Sequence, residues 1–155
     1  MSDTSAANKG LWGPVVLLGR ICFAFVFLFG TMGHFNGQDL PYAIQAGIPV
    51  AKIAVPLAGV IAVLGGLSIL FGYKAKLGGW LIVLFLVPVT LLMHNFWAVT
   101  GGARMMQLTN FEKNLSMLGG AFLISQFGAG PWSLDALTAS KRSAPASTST
   151  ASAAR

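Results

Sequence analysis

Charge is scarce in this sequence. Only 9% of its 155 residues are Asp, Glu, Lys or Arg, and four of those are acidic, whereas about a quarter of a soluble domain is charged. Together with 55% apolar residues, this excludes an ordinary water-soluble domain and points to an integral membrane protein. Cysteine occurs once, at Cys22, which excludes an internal disulfide and a dithiol relay within the chain. Histidine occurs twice. Two histidines with one distant cysteine fall short of a closed zinc site, so no metal centre is expected. Also missing are a phosphate-binding glycine loop, a dinucleotide fingerprint and a nucleophile elbow. The net charge of +6 does not imply nucleic acid, because the basic residues cluster beside apolar runs and are not interleaved with aromatics.

What the sequence has is apolar length. A helix needs about 20 apolar residues to cross the hydrocarbon core. Four runs approach this, at about 11–33, 53–73, 77–97 and 111–128. They predict an all-α membrane protein built as a four-transmembrane-helix bundle. The first run is predicted to be a retained span, since it holds Arg20 and exceeds the apolar core of a signal peptide. Residues 1–10 are expected to be mobile. The Ser-, Ala- and Thr-rich stretch 138–155 is expected to be a disordered tail, which leaves one domain at 11–137. Lys9, Lys74, Lys76, Lys141, Arg142 and Arg155 would share one side and Lys52, Arg104 and Lys113 the other, so both termini are predicted to be cytoplasmic.

Connections follow from composition. Lys74-Ala75-Lys76 is short enough to make spans two and three an antiparallel hairpin. Asn36 to Ala51 reads as a glycine- and proline-containing loop with room for one helical turn. Thr109 to Glu112 fits a capping box at the start of the fourth helix. Glycine pairs at 65–66, 78–79 and 119–120 would let helices approach closely in lipid. Pro88 should disturb the third span just before Thr90 and His94.

The candidate chemistry lies in polar residues at span ends. Arg20 sits at membrane depth, where a charge is costly and is expected to face the bundle. At 100° per residue, Phe27, Thr31 and His34 fall within about 40° of it, giving one stripe along the first helix. Thr90, His94 and Trp97 share a face of the third helix. His34 and His94 are placed on the same outer membrane face, where an imidazole could exchange protons near neutral pH. Gln107 arrives on that face, and Asn114 and Ser125 project from one side of the fourth helix. Phe96 and Trp97 also fit interfacial aromatics. A haem held between His34 and His94 is conceivable but is not favoured.

Taken together, these residues carry a resemblance. Arg20 with Gly33-His34, Gly65-Gly66-Leu67 through Gly72, His94-Asn95-Phe96-Trp97, and Gln107 followed by Phe111-Glu112-Lys113-Asn114-Leu115 and Gly119-Gly120 resemble the DoxX family. That family comprises small four-helix bacterial membrane proteins related to a subunit of thiosulfate:quinone oxidoreductase. The resemblance implies a multi-pass inner-membrane protein passing electrons to quinone with a partner redox protein or subunit. On that expectation Phe27, Phe96 and Trp97 line a ring slot, His34 and His94 are the catalytic donors, and Arg20 is a deeper polar partner, with Thr31, Thr90, Gln107 and Asn114 around them. The rival reading is a non-enzymatic membrane scaffold or binding protein for a partner complex. A homo-oligomer is compatible with either.

Overall fold

The computed structural model describes the backbone of residues 3–143 and the side chains of residues 12–142, and every regular element within them is helical. In chain order these are α1 (Asp3–Phe29), α2 (Met32–Asn36), α3 (Leu40–Gln45), α4 (Ala51–Phe71), α5 (Ala75–Met93), a 3-10 turn at Phe96–Ala98, α6 (Gly101–Phe127) and α7 (Leu134–Ser143). Three segments are long and apolar enough to cross a membrane: Trp12–Asn36, Ala51–Phe71 and Ala75–Ala98. α6 has 27 residues, about 40 Å of helix, but Arg104, Glu112 and Lys113 leave it less apolar than these three.

α1 packs on α4, α4 on α5, and α5 on α6. Water does not drive this association between helices in lipid, so close approach and dispersion must. Glycine supplies the approach. A Cβ on Gly65 or Gly78 would stand 3.1 Å from the other residue's carbonyl oxygen, and one on Gly79 would stand 2.8 Å from the Ser125 nitrogen of α6. Phe27, Ile69, Ile82 and Leu86 fill the centre and are fully buried.

The α4–α5 hairpin closes with left-handed residues at Gly72 (φ 63°) and Lys74 (φ 49°). Tyr73 N–H returns to the Ser68 carbonyl and Gly72 N–H to the Ile69 carbonyl, the Schellman pattern. The loop between α1 and α4 contains α3 as its helical turn.

One expectation, the capping box, is corrected, and two helices run past the expected bounds of the folded domain. α1 begins at Asp3, so helix occupies most of the stretch expected to be mobile; the side chains before Trp12 lie outside the described residues. α7 carries helix to Ser143 within the expected tail, while 144–155 lie outside the described residues. The capping box at Thr109 is not formed. α6 starts nine residues earlier, with Thr100 in extended conformation at its N-cap, and the Thr109 hydroxyl donates to the Met105 carbonyl at 3.0 Å. A threonine inside a helix can satisfy its hydroxyl this way, so the pattern alone does not mark a start.

Candidate functional site

α1 and α5 each end at a histidine-bearing break, and the hairpin geometry brings both breaks to one end of the bundle. His34 lies on α2, reached through a turn at Gly30-Thr31, and His94 is the residue after α5. Both lie in the wall of a cavity of 590 Å³, within the usual size range of small-molecule sites. Phe27, Val55, Ile61, Phe85 and Leu86 form much of its apolar body, and Thr31, Asp39, Tyr42 and Asn114 join the histidines as its polar groups. Val26, Leu57, Leu84 and Leu92 also line it and are exposed on the outside of the bundle. Pro88 is in the wall too; it has no N–H to give the carbonyl of Leu84.

Two local arrangements hold the polar groups. Asp39 Oδ2 stands 2.7 Å from His34 Nδ1, and two glycines make room for this pair. A Cβ on Gly33 would lie 2.5 Å from the same carboxylate oxygen, and one on Gly59 of α4 would lie 2.8 Å from His34 Cβ. The His34 ring also packs on Phe85, with centroids 5.8 Å apart. On the other side of the cavity, His94 Nδ1 is 2.9 Å from Gln107 Oε1. The Gln107 amide N–H donates to the Tyr42 hydroxyl, which in turn donates to the Met93 carbonyl at 2.6 Å. This chain of bonds ties α3, α5 and α6 together at one point.

The remaining predicted residues fall in different places. Phe27 and Thr31 are buried in the cavity wall, and the Thr31 hydroxyl donates to the Phe27 carbonyl at 2.6 Å. Thr90 is buried outside that wall, and its hydroxyl has no hydrogen-bond partner among the described residues. Gln107 acts from behind His94. Phe96 and Trp97 do not line the cavity; the 3-10 turn stacks them edge-on with Phe111, with the Arg104 guanidinium over Phe96. The aromatic wall is therefore Phe27 with Phe85, at 6.2 Å between centroids.

Arg20 belongs to the opposite end. It is buried at 4% exposure, yet its long side chain turns away from His34. Its Nη2 donates to the Trp132 carbonyl at 2.5 Å, while Nε and Nη1 make no hydrogen bond among the described residues. Asp135 lies near enough to interact with it electrostatically. The Asp135 carboxylate accepts the N–H groups of Lys74 and Ala75 at 2.8 and 3.0 Å, and its own N–H donates to the Gly72 carbonyl at 2.8 Å. α1, the hairpin and the start of α7 are thus clasped together. A second cavity, of 520 Å³, lies here between Lys74, Lys76, Phe127 and Ser133, and Arg20 is not in its wall.

Asp39 and Tyr42 escaped sequence reasoning because they sit in a segment read as loop. Asp39-Leu40-Pro41 is nonetheless a helix-start pattern, an N-cap residue followed by proline in the first turn. It places α3 and brings Tyr42 over the cavity. The Asp39 carboxylate makes no cap bond, and His34 takes it instead.

The model of the SURF4 family matches residues 8–141. The inner membrane protein YphA of Escherichia coli is 30% identical over 126 residues, covering 79% of this chain and 89% of that protein. The inner membrane protein YqjF of the same organism is 28% identical over 122 residues, covering 79% and 90%. The ER-derived vesicles protein ERV29 of Saccharomyces cerevisiae is 30% identical over 76 residues, covering 49% of this chain and 24% of that protein. No solved structure matches. The SURF4 match overturns the assignment to the DoxX family: motifs of glycine pairs, one arginine and span-end histidines proved too short to separate two groups of small helical membrane proteins. Inner-membrane relatives and several apolar helices make this a multi-pass protein of the bacterial inner membrane.

Proposed function

The chain belongs to the SURF4 family, and from that premise we propose that it is a membrane binding protein, not itself an enzyme, whose histidine-end cavity holds a membrane-dissolved molecule with an apolar body and a small polar head. The observation that carries this reading is the cavity's composition: an apolar interior whose walls reach the exposed outer surface of the bundle at Val26, Leu57, Leu84 and Leu92, with polar residues gathered among His34, Asp39, Tyr42 and His94. In this reading α6 is the fourth crossing and both termini are cytoplasmic. The lysines and arginine of the opposite end, Lys74, Lys76, Lys141 and Arg142, favour that orientation.

The test is gentle purification of the full chain in lipid nanodiscs and mass analysis of what it retains. A retained amphipathic molecule, lost in the cavity-filling variant Ala54→Phe with unchanged thermal stability, is the expected result. Equal retention by wild type and variant would overturn the reading. Co-purifying proteins and oligomeric state are read from the same preparation.

A second reading is favoured by one observation, the presence of both imidazoles beside Phe27 and Phe85 in one cavity wall. A quinone ring could occupy that slot, with a partner redox protein supplying electrons. Quinone in the mass analysis favours it, and its absence from protein that retains another molecule counts against it.

A further inference from the structure

The hydrogen bonds around the cavity have a direction that can be worked out from one fixed point. The Met93 carbonyl can only accept, so the Tyr42 hydroxyl proton is committed to it at 2.6 Å. Gln107 must then offer Tyr42 its amide N–H, which turns its carbonyl oxygen toward His94. That oxygen, 2.9 Å from Nδ1, requires the proton of a neutral His94 to sit on Nδ1. Nε2 is left as a bare acceptor.

His34 reaches the same state independently. The Asp39 carboxylate oxygen 2.7 Å from Nδ1 lies off the line of a ring N–H, so the two make no hydrogen bond, but its negative charge still favours a proton on that nitrogen over a lone pair. The neutral ring again presents Nε2 as an acceptor. The Thr31 hydroxyl has committed its proton to the Phe27 carbonyl, and the Asp39 carboxylate has none to give. Among the polar groups in this wall only the Asn114 amide keeps N–H donors uncommitted to a protein partner.

We propose that the cavity selects a molecule whose head donates hydrogen bonds through hydroxyl groups, a phenol, hydroquinol or long-chain alcohol, over the carbonyl or ether counterpart of the same shape. The proposal rests on the binding reading above and sharpens it, since it sets the chemistry of the head. Gln107, which lies outside the cavity wall and bonds both Tyr42 and His94 within it, is a positioning residue that sets the tautomer of His94.

The probes are 4-dodecylphenol and 4-dodecylanisole, which share an apolar body and differ by O–H against O–CH₃. Both are titrated calorimetrically into the full chain in phosphatidylcholine nanodiscs, with empty nanodiscs as the blank. The phenol should bind more tightly by roughly five- to tenfold for each hydrogen bond made. Gln107→Leu, which frees His94 to carry its proton on Nε2, should shrink the phenol-to-anisole ratio about fivefold. Gln107→Glu keeps an acceptor on Nδ1 and should restore the ratio. Equal binding of the two probes by wild type, or tighter binding of the anisole, overturns this proposal and leaves the cavity-binding reading intact. Failure of both probes to bind above the blank overturns the binding reading as well.

Discussion

The two ends of this bundle hold similar kinds of residue and use them differently. At the clasp end a buried arginine, an aspartate and backbone groups face one another, joining α1, the α4–α5 hairpin and the start of α7. At the histidine end a tyrosine and a glutamine hold His94 by Nδ1, an aspartate carboxylate stands against Nδ1 of His34 without hydrogen-bonding it, and neither Nε2 is bonded among the described residues. The first arrangement spends its polar groups on chain-to-chain contacts. The second keeps acceptors beside an apolar cavity. A buried charge, taken alone, therefore did not mark the end of the bundle where the apolar cavity and both histidines lie.

The largest effect that separates the ends is expected at Arg20. Arg20→Met removes the bond to the Trp132 carbonyl and the charge beside Asp135 while keeping much of the side-chain volume. It should cost about 2–3 kcal/mol of stability, read as a lower unfolding temperature in detergent. Affinity for 4-dodecylphenol in nanodiscs below that temperature should stay within about twofold. A variant of unchanged stability that no longer binds would break the comparison, because Arg20 would then belong to the binding site.

The converse variant is Gly33→Ala. It alters neither His34 nor Asp39, yet the new Cβ would meet both carboxylate oxygens, at 2.5 and 2.6 Å. The carboxylate is the end of a flexible side chain and should swing away from Nδ1. Phenol affinity should fall about five- to tenfold, the worth of one hydrogen bond to Nε2 lost when the carboxylate no longer favours the proton on Nδ1, while the unfolding temperature changes little, because alanine is also the better helix former by about 1 kcal/mol. A fall in stability with affinity retained would mean that the pair is structural and that the two ends are alike.

Much of this arrangement was legible in the sequence, for identifiable reasons. Apolar length gave α1, α4 and α5, because a bilayer imposes a minimum run that few other contexts require. Helical phase gave the buried stripe Arg20, Phe27, Thr31, because azimuth follows from residue spacing alone. It could not show that Arg20 reaches toward Trp132, since a long side chain's direction depends on which partner lies above or below it. The start of α6 was missed because Thr109-x-x-Glu112 copies a cap while the helix begins at Thr100. Trp97 shares a face with Thr90 and His94 only on a helical register that ends at Met93, and the slot implied for Phe96 and Trp97 by the resemblance is lost where the chain leaves α5 and turns both onto Phe111.

The smallest effect tests whether the clasp end behaves as one unit. Ser133 is buried; its hydroxyl donates to the Gly130 carbonyl at 2.6 Å and accepts the Ala136 N–H at 3.1 Å, the bond of an N-cap residue to the third helical position. Ser133→Ala should cost about 1 kcal/mol and leave phenol binding unchanged. Its value lies in combination with Arg20→Met. Asp135 stands two residues into α7 and connects the cap to the N-terminus of α5 and to Arg20, so loosening the cap should already weaken what Arg20 contributes. The double variant should then be less destabilised than the two single costs added, by more than the roughly 0.5 kcal/mol scatter of independent sites. Simple additivity would show two separate contacts in place of a clasp, and the contrast between the ends would then rest on the cavity alone.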